Sequence, residues 1–406
     1  MRFSPALLPL SFSALTLLDC RGSGGPPPAA PEPMTTVRGP GDRIRFSFRN
    51  ATPGPGRATA VYATFTGLDA AGRFCRLDRN GRFLPCSAAD NVVPRDGRTW
   101  CAYAIPLQGT PFLELDRRQT VISGRLYLSV GAPLLLRVDE ATGGLVQPDP
   151  ANSTDPNRSI RFDWIEFTVD ASGFHGNTTC VDQFGLPIAM AVFDRADPKR
   201  PVGQVGLTEA RSALFKAYRA AVPAAFATLA DPQELRIVAP AHGAFSAAGP
   251  ERDYLQGYID QMWTRYRSEP LELTPDEGRF TGRVDAQDRI VFTRDGDDAT
   301  YLIQGKPTSQ EAFLGNGVLA RGSGLEKVLG AQIAAMLNRH VLENPRAWRE
   351  AAGYYQQDPC NRYAQFWHEH GLGQRAYGFS YDDVNDQSPS LATAAPLEVR
   401  LSYRLD

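Results

Sequence analysis

Phe162-Asp163-Trp164-Ile165-Glu166-Phe167-Thr168-Val169-Asp170 alternates in side-chain character with a period of two, which is the pattern of a β-strand. Ile165, Phe167 and Val169 share one face and belong in a core. Trp164, Glu166 and Thr168 share the other, where a ring, a carboxylate and a hydroxyl provide what a sugar site uses to stack a pyranose and hold its hydroxyls. Gly173 and Gly176 follow, then Thr178-Thr179-Cys180-Val181-Asp182-Gln183-Phe184-Gly185-Leu186-Pro187-Ile188. A hairpin folded about Phe174 sets Glu166 opposite Asp182. Directly opposed Cβ atoms lie about 4.5–5.5 Å apart, and an offset of two residues gives roughly 7–8 Å between Cα atoms. Either register puts two carboxyls on one sheet face. In a partly apolar site such a pair divides into an acid that keeps its proton and a base that stays ionised. The plainer alternative makes Glu166 a solvent-facing strand residue and Asp182 a turn residue.

Outward from this strand, residues 36–205 read as a β-sandwich or barrel. Arg43 to Arg49 alternates cleanly, and Val61 to Phe65, Leu126 to Val130 and Ile160 to Val169 are strand-like runs separated by Gly, Pro and Asn turns. Residues 206–360 read as mixed α/β. Leu214, Tyr218 and Val222 recur at helical spacing after a Thr208 cap, Tyr254 to Arg267 reads as a helix, and Leu325, Val328, Leu329, Ile333, Met336 and Leu337 form one stripe. Arg289–Thr293 and Thr300–Ile303 flank an Asp295–Asp298 turn. Residues 361–406 read as strands returning to the β domain, through Tyr377, Phe379 and Tyr381 and then Leu397, Val399, Leu401, Tyr403 and Leu405. The expectation is therefore an α+β, mainly β chain of two domains with a cleft between them.

The 406 residues carry a net charge of -2, with no basic excess to neutralise a phosphate backbone, so a general nucleic-acid binder is excluded. The 37 Gly and 32 Pro exceed the roughly 12% typical of proteins and disfavour a mainly helical chain. Residues 1–35 read as a signal peptide and a Gly/Pro linker: Arg2 precedes an apolar run from Phe3 to Leu18, too short to span a bilayer. A secreted or cell-surface protein is expected. Leu17-Leu18-Asp19-Cys20 has the outline of a lipoprotein cleavage site, although Asp19 stands where a small residue is preferred, so a lipid anchor at Cys20 and simple secretion both remain open. No transmembrane segment follows. In an exported chain two disulfides are plausible, and Cys75 with Cys86, bracketing the Asn80-Gly81 turn, is the first pairing expected. Neither His368 and His370 nor the Asp295–Asp298 run has a recognisable ligand set, so no metal or other cofactor is expected.

Glu166-Phe167-Thr168, Asp182 sixteen positions later, Gly185-Leu186-Pro187, Asn316-Gly317, Leu337-Asn338-Arg339-His340, Asn361-Arg362-Tyr363 and Tyr377-Gly378-Phe379-Ser380-Tyr381-Asp382-Asp383-Val384 together resemble glycoside hydrolase family 64, the laminaripentaose-producing β-1,3-glucanases, over roughly residues 38–405. The resemblance implies a thaumatin-like β domain and an α/β domain around a wide groove. It also implies an endo-acting, inverting hydrolase of β-1,3-glucan; a monomer acting on that polysaccharide without cofactor is expected. Glu166 would be the general acid and Asp182 the general base. Inversion requires carboxyls about 6.5–9.5 Å apart, which favours the offset register or splayed rotamers over direct opposition. Thr168, Asp382 and Asp383 carry over as substrate-side residues beside Trp164. Some members carry an amide four residues past the acid and an aromatic nine past it; this chain has Asp170 and His175 there. A non-catalytic, glucan-binding, antifungal thaumatin-like protein is the alternative, and retention of both carboxyls argues against it.

Overall fold

The computed structural model describes residues 43–54 and 59–406. The export segment, Cys20 and the first residues of the β domain lie outside the described residues. Among the described residues no helix is long and apolar enough to cross a membrane.

Two sheets enclose the first core. One has five strands in the order Pro201–Gly206, Ile188–Asp194, Pro396–Tyr403, Arg43–Asn50, Phe112–Asp116. Pro396–Tyr403 runs parallel to Arg43–Asn50, with Phe46 beside Val399 and Phe48 beside Leu401, so the C-terminal strand lies within this sheet. The other runs Ser390–Thr393, Gly173–Thr178, Arg161–Asp170, Val121–Val130, Val61–Leu68, Phe74–Leu77, Phe83–Pro85, with Ile105–Pro106 beside Val61–Leu68. Alternation drives the packing: Ile44 and Phe46 face Ile165, Phe167 and Val169 in one buried cluster. Phe167 is its hub. Its ring lies 5.4 Å from that of Phe46, 5.0 Å from Phe65 and 5.9 Å, stacked, from Phe174. On both neighbouring strands the residue paired with Phe167 is a glycine, Gly124 and Gly176. A Cβ on Gly124 would stand 2.7 Å from the Phe167 ring, so the ring needs that bare position. Burying such a phenylalanine contributes about 2–3 kcal/mol.

The helices and a four-stranded sheet (Leu271–Leu273, Phe280–Val284, Ile290–Arg294, Thr300–Ile303) build a second core. Gly324–Arg339 is its axis, started by a capping box between Ser323 and Glu326 and buried along Leu329, Ile333, Met336 and Leu337. The Thr300–Ile303 strand pairs with Ile290–Arg294 around the Asp295–Asp298 turn, where Gly296 takes a φ of 78°.

Several local expectations are corrected. The first long helix starts at Arg211, with Ala210 rather than Thr208 at the N-cap position and no side-chain cap. Tyr377 to Tyr381 is not a strand: the chain turns there, and all three aromatics are buried. The hairpin bend is at Ala171-Ser172, not Phe174, because the Asp170 carboxylate accepts from the Ser172 N–H at 2.7 Å and closes the turn. Glu166 therefore opposes Asn177, not Asp182. Cys75, Cys86, Cys101, Cys180 and Cys360 are all free thiols. Cys75 pairs with Pro85, so Cys86, one residue on, points to the other sheet face, and the two thiols join different clusters.

Candidate active site

Glu166 projects from Arg161–Asp170 on the face away from the sandwich core. Its cross-strand neighbour is Arg125, and that of Trp164 is Tyr127. Arg125 reaches Glu166 Oε1 from Nε at 3.1 Å and from its terminal nitrogen at 3.0 Å, and its guanidinium lies 5.3 Å above the Trp164 ring. The Trp164 indole N–H donates to the same Oε1 at 3.3 Å. Every hydrogen bond given to this carboxyl by the described residues thus ends on one oxygen. Tyr127 donates to Gln147 Oε1 at 2.7 Å and closes the aromatic wall.

Asp182 arrives from a different direction. After Gly173–Thr178 the chain leaves the sheet, and its turn is clamped by three bonds: the Cys180 N–H to the Tyr377 carbonyl at 2.9 Å, the Tyr363 hydroxyl to the Cys180 carbonyl at 2.6 Å, and the Ala239 N–H to the Asp182 carbonyl at 2.9 Å. Gln183–Phe184 then pairs with Ile237–Val238. Behind the turn, the buried Asp163 carboxylate accepts the Gly185 and Leu186 N–H groups at 2.7 and 3.1 Å. Burial pushes the Asp163 carboxyl up to about 7 against those bonds. A Cβ on Gly185 would fall 2.0 Å from the Phe162 carbonyl oxygen, so only glycine passes there.

His242, on the short Pro240–His242 turn, meets Asp182 with Nε2 3.0 Å from Oδ1. Burial alone would raise the Asp182 carboxyl, but the His242 hydrogen bond and charge, with the charge of Arg125, outweigh it and hold it below the usual carboxylate range. Burial likewise opposes the charge of Arg125, yet Tyr127, Glu166 and Asp182 together hold its guanidinium above its ordinary value. One cation thus lies in the field of both carboxylates. Their side chains are 10% and 31% exposed, so solvent reaches each, and no hydrogen bond joins the two. The arrangement provides two separately anchored carboxyls, which is what giving a proton on one side of a bound group and taking one on the other needs.

A profile of the glycoside hydrolase 64 family, described as Beta-1,3-glucanase, matches residues 42–402. The chain belongs to glycoside hydrolase family 64. A family 64 β-1,3-glucanase domain from Clostridium beijerinckii superposes with a TM-score of 0.83 at 31% identity, covering 91% of this chain and all of that one. A family 64 laminaripentaose-producing β-1,3-glucanase from Paenibacillus barengoltzii, solved with laminarihexaose, gives a TM-score of 0.70 at 31% identity, covering 90% of this chain and 75% of that one. A glucan endo-1,3-beta-glucosidase of Cellulosimicrobium cellulans is 30% identical over 277 residues, 65% of this chain and 48% of the relative, so the match spans about half of that protein's length.

In this family 64 chain the remaining sequence-selected residues divide. Trp164 is 3% exposed, its ring packed between Tyr127, Phe162 and Arg125, so it forms the wall rather than an open stacking platform. Thr168 shares the face of Glu166, and its buried hydroxyl has no partner among the described residues. Asp383 lies beside Tyr377, whose phenol burial raises first, and Asp383 and Glu166 raise further. Burial pushes the Asp383 carboxyl up to about 6, and its Oδ1 has no partner among the described residues. Asp382 has no exposed surface. Its Oδ1 takes Arg339 at 3.0 Å, and its Oδ2 takes His368 at 2.9 Å and the Gly378 N–H at 2.8 Å, which places it in the scaffold beneath the site.

Sequence reading missed Arg125, Tyr127 and His242. The first two were legible as the polar-side partners of the Leu126–Val130 run, at a spacing of two from each other. For His242 the signal was only its rarity, as one of 5 histidines.

Proposed function

We propose that this chain is an exported enzyme that hydrolyses internal β-1,3 linkages of glucan by a single displacement with inversion of the anomeric carbon. Glu166 donates a proton from Oε2 to the leaving glycosidic oxygen, since its Oε1 is occupied by Arg125 and Trp164. Asp182, kept ionised by His242 and Arg125, takes a proton from the water that attacks the opposite face of the sugar. The observation that carries the reading is the separate anchoring of the two carboxyls, one on the sheet and one on the clamped turn. A pair sharing one proton would be hydrogen-bonded to each other, whereas a water-activating pair must leave room between them. Thr168, two residues along the strand from the acid, and Asp383, which like Glu166 acts on the Tyr377 phenol, have unpartnered buried polar atoms and are the groups that hold sugar hydroxyls. Family membership supports the substrate, and the basic start and apolar run from Phe3 to Leu18 support export to the medium or cell surface.

Incubation of the purified chain with insoluble curdlan tests this. Release of short β-1,3-oligosaccharides is expected, and NMR of the first product should show the α-anomer. Pull-down without release would make the chain a binder only, and an initial β-anomer would overturn inversion. Mass spectrometry of the exported protein reads the processing: a mature N-terminus beyond Leu18 supports export, and an intact Met1 in the cell interior refutes it.

A further inference from the structure

We propose that His242 is a positioning residue for Asp182, presenting one carboxylate oxygen to the attacking water and setting the pH at which that oxygen begins to accept a proton. The inference rests on the reading of Asp182 as base. The Nε2 to Oδ1 distance is 3.0 Å, and an ionised carboxylate only accepts, so Nε2 carries the proton. Among the described residues every hydrogen bond to the Asp182 side chain ends on Oδ1, which leaves Oδ2 for water.

The pair is fixed by its backbone. The Ala239 N–H binds the Asp182 carbonyl, Gln183 pairs with Val238, and the turn closes through the His242 N–H to the Ala239 carbonyl at 2.9 Å. The backbones that carry the ring and the carboxylate are therefore held together by this short ladder and the turn that follows it, which fixes the separation of the two residues. Gly243 completes the turn at a place where a Cβ would meet the Leu229 side chain at 2.4 Å.

The charges around the pair are few. Asp182 faces His242, Arg125 and the Tyr127 phenol, with Glu166 beyond the guanidinium; His242 faces Asp182 and, farther off, Asp149. Burial disfavours the imidazolium, but these two carboxylates outweigh it and raise the His242 pKa above its ordinary value. The ring thus performs two separable tasks. Its N–H orients the carboxylate, which favours proton abstraction. Its charge stabilises the carboxylate, which weakens the base and moves its protonation to lower pH.

Two substitutions divide the tasks. His242→Phe removes both donor and charge, and kcat on soluble laminarin should fall about 100-fold with KM within about twofold, as expected for lost orientation. His242→Gln keeps a donor near the Nε2 position. It should recover kcat to within about fivefold of wild type, while the acid limb of kcat/KM moves up by about one pH unit. In wild-type protein the His242 ring, followed by NMR, should titrate above the ordinary imidazole value and drop in Asp182→Asn. A His242→Phe enzyme at wild-type kcat, an unmoved acid limb in His242→Gln, or an imidazole titration indifferent to Asp182→Asn would each overturn the proposal. The two readings fail differently. If Asp182→Asn turns over near the wild-type rate, the base itself is misassigned. If Asp182→Asn is inactive while the His242 variants behave as wild type, only the His242 role is lost.

Discussion

Asp382→Asn separates scaffold from substrate contact. Asp382 is wholly buried with Arg339, itself without exposed surface, at 3.0 Å, and its second oxygen holds His368 and the Gly378 N–H. The amide keeps the shape and an Oδ1 that can still accept from Arg339, but it removes the charge opposite a buried guanidinium and puts an NH2 donor where Oδ2 met His368 and accepted from the Gly378 N–H. Breaking one side of a buried pair costs about 3–5 kcal/mol. With an unfolding entropy near 2.1 cal/mol/K per residue, a chain of this size loses roughly 0.85 kcal/mol per degree, so Tm should fall by about 3.5–6 °C. Calorimetry measures that fall, and laminarin kinetics at a temperature well below both transitions measures KM, which should stay within about twofold. The pH dependence has a definite sign. Burial would raise the Asp382 carboxyl, but His368 and Arg339 hold it below its ordinary value, so its stabilisation is present above the unfolded carboxylate pKa and is lost as pH falls through the folded one. Burial opposes the His368 imidazolium but Asp382 raises its pKa, so its share is present below the unfolded imidazole value and is lost as pH rises through the folded one. The Tm difference between wild type and variant should therefore be greatest between about pH 4 and 6.5. An unchanged Tm together with a tenfold rise in KM would refute the scaffold role and return Asp382 to the sugar.

Glu166→Gln keeps Oε1 as an acceptor for Arg125 and removes the transferable proton, so glucan release should fall by at least about 100-fold with curdlan pull-down intact; near-wild-type turnover would eliminate the acid. Arg125→Met removes the cation that helps lower Asp182, so the acid limb of kcat/KM should move to higher pH, and an acid limb at or below its wild-type position would contradict the shared field. Gly185→Ala forces a Cβ onto the Phe162 carbonyl, and a loss of about 1–3 kcal/mol by denaturant titration should accompany a fall in kcat, because Asp182 lies three residues away. Thiol labelling of denatured, unreduced protein followed by peptide mapping should find all five cysteines from Cys75 to Cys360 labelled, and any of them recovered in a disulfide would contradict the free thiols.

The elements legible in advance were those where a short period decides burial. Arg43 to Arg49, Ile165 to Val169 and the Leu329 to Leu337 stripe each need only alternation or helical spacing, and each lies where that pattern places it. Tyr377-Phe379-Tyr381 shows the limit of the same rule. The three rings alternate as a strand would, yet Asp382 draws the Gly378 N–H into a turn, and all three aromatics are buried without a ladder. The hairpin failed for a related reason. Phe174, chosen as the bend, is fully buried in the sandwich, while the Asp170 side chain supplies a turn two residues earlier. Glu166 could be selected from its face alone. The placement of Asp182 depends on Ala239, Tyr363 and Tyr377, contacts up to 195 residues away that no local period encodes.

That dependence explains why the site combines elements of both halves. Glu166 is fixed by the eight-stranded sheet through Arg125, on the neighbouring strand. Asp182 is fixed by groups of the second core: Tyr363 on the Arg362–His370 helix, the Tyr377 turn above Asp382, and the Ile237–Val238 strand that leads to His242. The spacing between the carboxyls is therefore a property of how the two cores pack, not of either strand. Asp163 couples them most directly. It leaves the Glu166 strand, passes under the turn and accepts the Gly185 and Leu186 N–H groups in a place buried enough to push its own carboxyl up to about 7. A group raised in this way destabilises the fold progressively as pH climbs from about 4 toward 7, because the unfolded chain ionises first. The chain thus keeps an unfavourably buried acid where it ties the element bearing Glu166 to the element bearing Asp182.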